Sequence, residues 1–292
     1  MVRAFSAIHP AVSFTFFAFI IIFTILFQHP VFVGISLSGA LFLSWLLSGG
    51  QGVKSGVKLY FPMFLLIALA NPLFNHRGKT VLFYLRDNPV TLEAVTYGLC
   101  MAASLVAVAL WFSCYSKVMT SDKFLYLFAG FAPTVALLIT MTLRMIPNLK
   151  VQLKAVASAQ QAIGLDARTG NLVQRLRKSM RITSILLSWA MEDGMETADS
   201  MKARGYGVKN RTTFSLFKFD ARDGVILAVV LGLAGICLTG YFLGYGVMRF
   251  YPVLAPLKIS GLALCLYTAF GAYAFLPVLI EFRENLKWHF CK

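Results

Sequence analysis

Charge is what this sequence has least of. Only 13% of its 292 residues are Asp, Glu, Lys or Arg, while 58% are hydrophobic; a soluble domain carries about 25% charged residues. Together with a mean hydropathy of +0.73, this excludes an ordinary soluble domain and points to an all-α polytopic membrane protein. Acidic residues are the scarcest, 12 against 27 basic ones, for a formal net charge of +15. On a soluble protein that surplus would suggest nucleic-acid binding, but no motif of that kind is present. The excess is assigned instead to basic cytoplasmic loops facing the lipid bilayer, with no nucleic acid as partner.

Other absences narrow the chemistry. The five cysteines (Cys100, Cys114, Cys237, Cys265 and Cys291) form no CxxC pair, which argues against a disulfide framework or a zinc motif. The histidines His9, His29, His76 and His289 are scattered, and HExxH does not occur. No metal site is expected. Lys54-Ser55 and Gly78-Lys79-Thr80 are only fragments of a phosphate loop. That loop needs glycine, four residues and then Gly-Lys-Ser/Thr so that backbone amides cradle phosphate. Position 73 is Leu, and Val53 separates Gly52 from Lys54. The apolar segments carry no mid-membrane acid or base of the sort a proton relay needs. The chain is therefore expected to hold no cofactor and to be no enzyme, and energy for any transport has to come from a partner.

What is present is a series of apolar runs. Ala11 to Phe27, Val31 to Leu47, Tyr60 to Phe74, Val90 to Ser116, Val225 to Phe242 and Ile259 to Ile280 read as about six spans. Ser48 to Lys58 reads as a Gly-rich basic loop. Thr80 to Leu85, β-branched and aromatic, fits a small strand or hairpin. Three regions follow: an N-terminal membrane domain at 1–120 with four spans, a charged helical domain at 121–222, and two C-terminal spans at 223–292. The distribution of Lys and Arg puts both termini and the charged domain in the cytoplasm.

The charged domain organises the rest. Ile146, Leu149, Leu153, Val156 and Ile163 recur at helical spacing, as do Leu172, Leu176, Met180, Leu187 and Met191. Ile182, Ile185, Leu186 and Trp189 widen the second apolar face. Thr134 to Leu143 is apolar, but charge begins at Arg144 and Pro147 kinks or restarts the helix. This helix is thus expected to be amphipathic and not a full span. Each helix ends in Ala-X-Gly, at Ala162-Ile163-Gly164 and at Ala203-Arg204-Gly205. Glycine there is a helix stop, because it accepts the left-handed cap without a Cβ penalty.

These elements resemble the transmembrane T component of energy-coupling factor transporters, the family that includes the cobalt-transporter permease subunit. The resemblance rests on Leu143-Arg144-Met145-Ile146-Pro147, on Ala159 to Asp166, and on Ala198 to Gly207. It implies a scaffold in a bacterial or archaeal cell membrane. Such a scaffold joins two cytoplasmic ABC-type ATPase subunits to a membrane-embedded S component that binds a vitamin or metal ion. It further implies that Ala162, Ile163 and Gly164, and Ala203, Arg204 and Gly205, meet the ATPases, supported by Arg144, Pro147 and Gln160. Ile163 stands where the family usually has arginine, which shifts the weight to Arg204. A membrane-embedded lipid-modifying enzyme with basic loops is the alternative. The acids Glu192, Asp193, Glu196 and Asp199 that it would use are explained by ion pairing at helical spacing.

Overall fold

Twice near the start of the chain histidine precedes proline, and both times a helix begins there. Helices α1 (Pro10–Leu26) and α2 (Pro30–Phe74) open with proline, whose missing N–H is no loss in a first turn. His9 and His29 accept the amides of Ala11 and Val31 at Nδ1, over 3.3 and 3.4 Å. Each ring so satisfies one orphan donor of its helix. The computed structural model describes residues 5, 8–75, 78–85, 88–166, 169–208, 217–251 and 260–290, with backbone alone at 50–55, 83, 85, 88 and 284–290. The later elements are β1 (Val81–Leu85), β2 (Asn88–Thr91), α3 (Leu92–Val118), α4 (Ser121–Ala129), α5 (Pro133–Ala162), α6 (Leu172–Ala203), α7 (Ala221–Phe242) and α8 (Gly261–Phe290). The fold is all-α apart from one antiparallel hairpin, β1–β2. Of the residues named from sequence, His76, Ile259 and Cys291 lie outside the described residues.

Among the described residues six helical stretches are long and apolar enough to cross a membrane: Pro30–Gly49, Gly56–Phe74, Leu92–Val118, Pro133–Ala162, Ala221–Phe242 and Gly261–Arg283. The set differs from the one read in the sequence at two places. It omits α1, whose 17 residues extend roughly 26 Å against a hydrocarbon core of about 30 Å. It includes α5 on the strength of its apolar N-terminal part, which holds Arg144 and Lys150, with Lys154 beyond it. The Gly-rich stretch at 48–58 is also not the loop its composition suggested. Helix continues on both sides of Gly49, which alone leaves helical geometry, at φ 67° and ψ −177°. A positive φ is available to glycine at no steric cost, so one residue makes the turn. The two halves of α2 then face a common cleft, lined by Leu37, Leu41 and Ser44 from one and Val57, Tyr60 and Phe64 from the other.

The chain divides into two compact units, one of residues 1–124 with 217–292 and one of residues 125–216. In the first, Phe5, Phe16, Phe17, Trp111 and Tyr273 are fully buried. Phe16 stacks on Tyr273 and meets Trp111 edge-on. Apolar contact alone drives helices together weakly in lipid, so close approach and polar links matter more. The Trp111 indole donates to Ser36 Oγ over 2.9 Å, and Ser36 shares a 2.7 Å hydrogen bond with Thr24. This ties α3 to α2 and α1. The Tyr273 hydroxyl donates to the Phe16 carbonyl over 3.1 Å, tying α8 to α1. Gly39 lets α2 approach α8 so closely that an added Cβ would lie 3.2 Å from that of Ala274. Two buried carboxylates hold the N-terminal segment: the Phe5 amide donates to Glu281 over 3.0 Å, and the His9 amide to Asp223 over 3.5 Å.

Candidate functional site

The second unit is built on α5 and α6, roughly 45 and 48 Å long at the usual helical rise. Only Ala136 is buried on α5 and only Ile182 on α6. Half-buried residues show which faces meet. On α5 they are Leu137, Met141, Met145, Leu149, Gln152, Val156 and Gln160, a run of threes and fours, with Ala157 beside it. On α6 they are Lys178, Leu186, Trp189, Ala190, Asp193 and Met201, on either side of buried Ile182. The packed face of α6 is therefore the one that seemed in sequence to widen the stripe. The stripe itself lies outside: Leu172, Met180, Leu187 and Met191 are 82%, 64%, 61% and 65% exposed. On α5, Leu149 and Val156 of the expected stripe turn inward, whereas Ile146, Leu153 and Ile163 stay exposed.

Both helices end in the same backbone motif. At α5, Gly164 has φ 78°, its amide donates to Gln161 O over 3.0 Å, and the Leu165 amide donates to Gln160 O over 2.9 Å. At α6, Gly205 has φ 78°, its amide donates to Lys202 O over 3.0 Å, and the Tyr206 amide donates to Met201 O over 3.0 Å. These paired bonds, one from the glycine and one from the residue after it, define a Schellman cap. The residue before each glycine closes the helix, Ile163 at φ −93°, ψ 17° and Arg204 at φ −82°, ψ 8°. The two ends thus differ in side chain and not in backbone. Ala162, Ile163 and Gly164 are exposed at one, Ala203 and Arg204 at the other, where Gly205 is half-buried.

Arg204 does not stand alone. It lines a groove of about 650 Å³ with Ser200, Thr197, Glu196 and Asp193 from α6 and Asn148 and Arg144 from α5. Methionines Met141, Met145 and Met201 line it too. Arg144, expected only as support, is thereby brought to the same groove as Arg204. Pro147 sits exposed on the continuous helix beside it, where its ring removes the amide that would have bonded to Leu143 O. Ile163 is elsewhere: 15 positions separate it from Asn148, roughly 22 Å along α5. Gln160 acts through its backbone, accepting the cap bond from Leu165. The sequence reading passed over Asp193 and Glu196 as ion-paired. Among the described residues the one ion pair is Lys202 with Asp199, at 3.5 Å. Their spacing with Ser200 and Arg204, all three or four apart, was the signal for a shared face.

The family described as cobalt transport protein, CbiQ, matches residues 2–214, from the N-terminal segment through both Schellman caps. The chain belongs to this family. As a CbiQ-family protein with six apolar helices of spanning length, it is a multi-pass membrane protein of a transporter family. Three similar proteins are each named energy-coupling factor transporter transmembrane protein EcfT. One, from Streptococcus equi subsp. equi, is 27% identical over 198 residues, 63% of this chain and 73% of that protein. One from Exiguobacterium sibiricum is 34% identical over 111 residues, 37% of this chain and 42% of that protein. One from Brevibacillus brevis is 35% identical over 105 residues, 34% of this chain and 40% of that protein. The last two matches thus span less than half the length of the relatives concerned.

Proposed function

We propose that this CbiQ-family protein is the transmembrane scaffold of an energy-coupling factor importer. In this reading it transmits ATP hydrolysis by two cytoplasmic ABC-type ATPases to a separate membrane-embedded S component that binds a vitamin or metal ion. The chain itself hydrolyses nothing. The observation that carries the reading is Arg204. It is an exposed guanidinium on a rigid glycine cap, at the end of a helix whose outer apolar stripe is uncovered. A guanidinium offers five donors in a fixed fork, suited to the carboxylates and carbonyls of a partner. Ala203 and Gly205 add no bulk, so a partner backbone can come close. Ile163, in the same backbone setting, has only apolar surface to give.

The test is purification from the native membrane. The proposal expects ATPase subunits and a small membrane protein to come with the chain, and ATP turnover to vanish when the ATPases are stripped away. A chain that arrives alone, or that turns over ATP without them, defeats it. The proposal also puts both termini and residues 144–222 in the cytoplasm, which takes α1 as a span and α5, despite its apolar first third, as none. Single cysteines at Ser158 and Ser200, in a background lacking the native cysteines, should resist a membrane-impermeant thiol reagent in intact cells. Labelling from outside reverses that topology.

A further inference from the structure

We propose that the groove between α5 and α6 is a two-signed docking cleft, in which Arg144 acts with Arg204 as the cationic half and Asp193 with Glu196 as the anionic half. Its occupant is a loop or helix end of an ATPase subunit that presents a carboxylate and a basic side chain together. The inference rests on the scaffold reading and deepens it, since it concerns how the same helix end chooses its partner.

The groove itself supplies the argument. Four charged side chains line about 650 Å³. None of the four enters an ion pair or a side-chain hydrogen bond among the described residues, whereas nearby Asp199 pairs with Lys202. Arg144, Glu196 and Arg204 are exposed and Asp193 half-buried, so opposite charges share the cleft unpaired and open to a partner that fits between them. Asp193 is half-buried on the face of α6 that packs toward α5, so its carboxylate is not simply a solvated surface group. Asn148, Thr197 and Ser200 add neutral donors and acceptors, and Met141, Met145 and Met201 add a deformable apolar lining. The two arginines balance the two acids. A site for an anionic lipid surface or for nucleic acid would be basic throughout; this one suits a polypeptide carrying both signs. Paired charges of this kind set register and reject wrong partners more than they add raw affinity.

The experiment uses the full complex purified from native membranes and measures ATPase subunits retained per scaffold chain as salt is raised. The variants are Arg144→Ala, Arg144→Lys and the double Asp193→Asn, Glu196→Gln. Arg144→Ala and the acid double are each expected to lower retention about tenfold and to flatten its salt dependence, with thermal unfolding of the scaffold unchanged. Arg144→Lys should recover part of the loss. Retention and salt dependence at the wild-type level in Arg144→Ala and the acid double, with ATPases still present on the wild type, overturn the cleft while leaving the scaffold reading intact. A wild type that brings no ATPase overturns both. Should a variant unfold, a photo-crosslinker on a cysteine at Ser200 decides. Adducts with an ATPase subunit are expected from Ser200, in the groove, and adducts from exposed Ser158 alone contradict the cleft. Binding to anionic vesicles that depends on Arg144 while ATPase retention does not would make the groove a lipid site and refute the proposal.

Discussion

The first unit of this protein seals a core of large aromatic side chains, whereas the second buries only Leu125, Ala136 and Ile182 among its described hydrophobic residues. The helical stretch Pro30–Gly49 is 44% buried over its apolar length and Leu92–Val118 39%, against 6% for Pro133–Ala162, although Gly56–Phe74 of the first unit is only 11% buried. Phe16, Trp111 and Tyr273 are sealed and hydrogen-bonded or stacked, whereas Leu172, Met180 and Met191 are mostly exposed. The difference separates two kinds of residue. Substitutions in the first unit should act through stability, because they remove contacts the folded chain already makes. Substitutions along the exposed face of α6 should spare stability and, under the scaffold proposal, act through assembly.

The sharpest way to break this contrast is to wedge the first unit apart. Gly39→Leu forces a side chain toward Ala274 and Trp111, where a single Cβ already lies within 3.2 and 3.5 Å. It should cost about 1–3 kcal/mol or more, read as a lower unfolding midpoint in detergent, with ATPase retention falling only as folded protein is lost. A smaller effect is expected from Trp111→Phe, which removes the donor to Ser36. Interhelical hydrogen bonds in membranes average about 0.6 kcal/mol and reach about 1.7, so the midpoint should fall modestly and assembly should be unchanged.

The paired caps sharpen the comparison from the other side. Gly164→Ala and Gly205→Ala each place a Cβ at φ 78°, at a cost of about 1 kcal/mol. Both should fray a final helical turn equally by amide exchange, yet only Gly205→Ala should weaken ATPase retention. Equal loss of retention at both ends would show that Ile163 serves as well as Arg204.

The smallest effect is one of pH. His29 is buried beside Tyr267 and Phe32, and burial lowers its pKa below the usual histidine value. Its Nδ1 accepts the Val31 amide, which requires the neutral form. The folded chain therefore resists protonation that the unfolded chain accepts. Stability is full above the ordinary histidine pKa, near 6.5, and declines as pH falls below it. His29→Asn keeps a cap acceptor and should flatten the midpoint's dependence on pH below that value. An unchanged slope would place the dependence elsewhere.

Much of this was legible in the chain. Low charge announced the membrane class, and Ala162-Ile163-Gly164 and Ala203-Arg204-Gly205 announced two helix ends that the structure closes with left-handed glycines. The rest depended on contacts that one-dimensional pattern does not carry. Periodicity tells which residues share a face and not which face meets a neighbour. Helix α6 is apolar on two faces, so Leu176 and Met180 looked as good a core as Ile182 and Leu186. Arg144 and Arg204 are sixty positions apart, and only the packing of α5 on α6 brings them to one groove. The turn at Gly49 was hidden for another reason. A Gly-rich composition suggests a loop, yet helix continues on both sides of Gly49, where one positive φ suffices to break it.

The central claim is that two ends of identical backbone do unequal work because one carries a guanidinium. The direct measurement compares ATPase retention and uptake for Arg204→Ala and Ile163→Ala, at matched expression and with unfolding midpoints checked. Charge-assisted hydrogen bonds are worth about 1.5–3 kcal/mol each, so Arg204→Ala should release an ATPase or uncouple its hydrolysis, lowering retention roughly 10- to 150-fold. Ile163→Ala should do less harm, and neither should move the midpoint appreciably. Wild-type retention and uptake in Arg204→Ala would contradict the account.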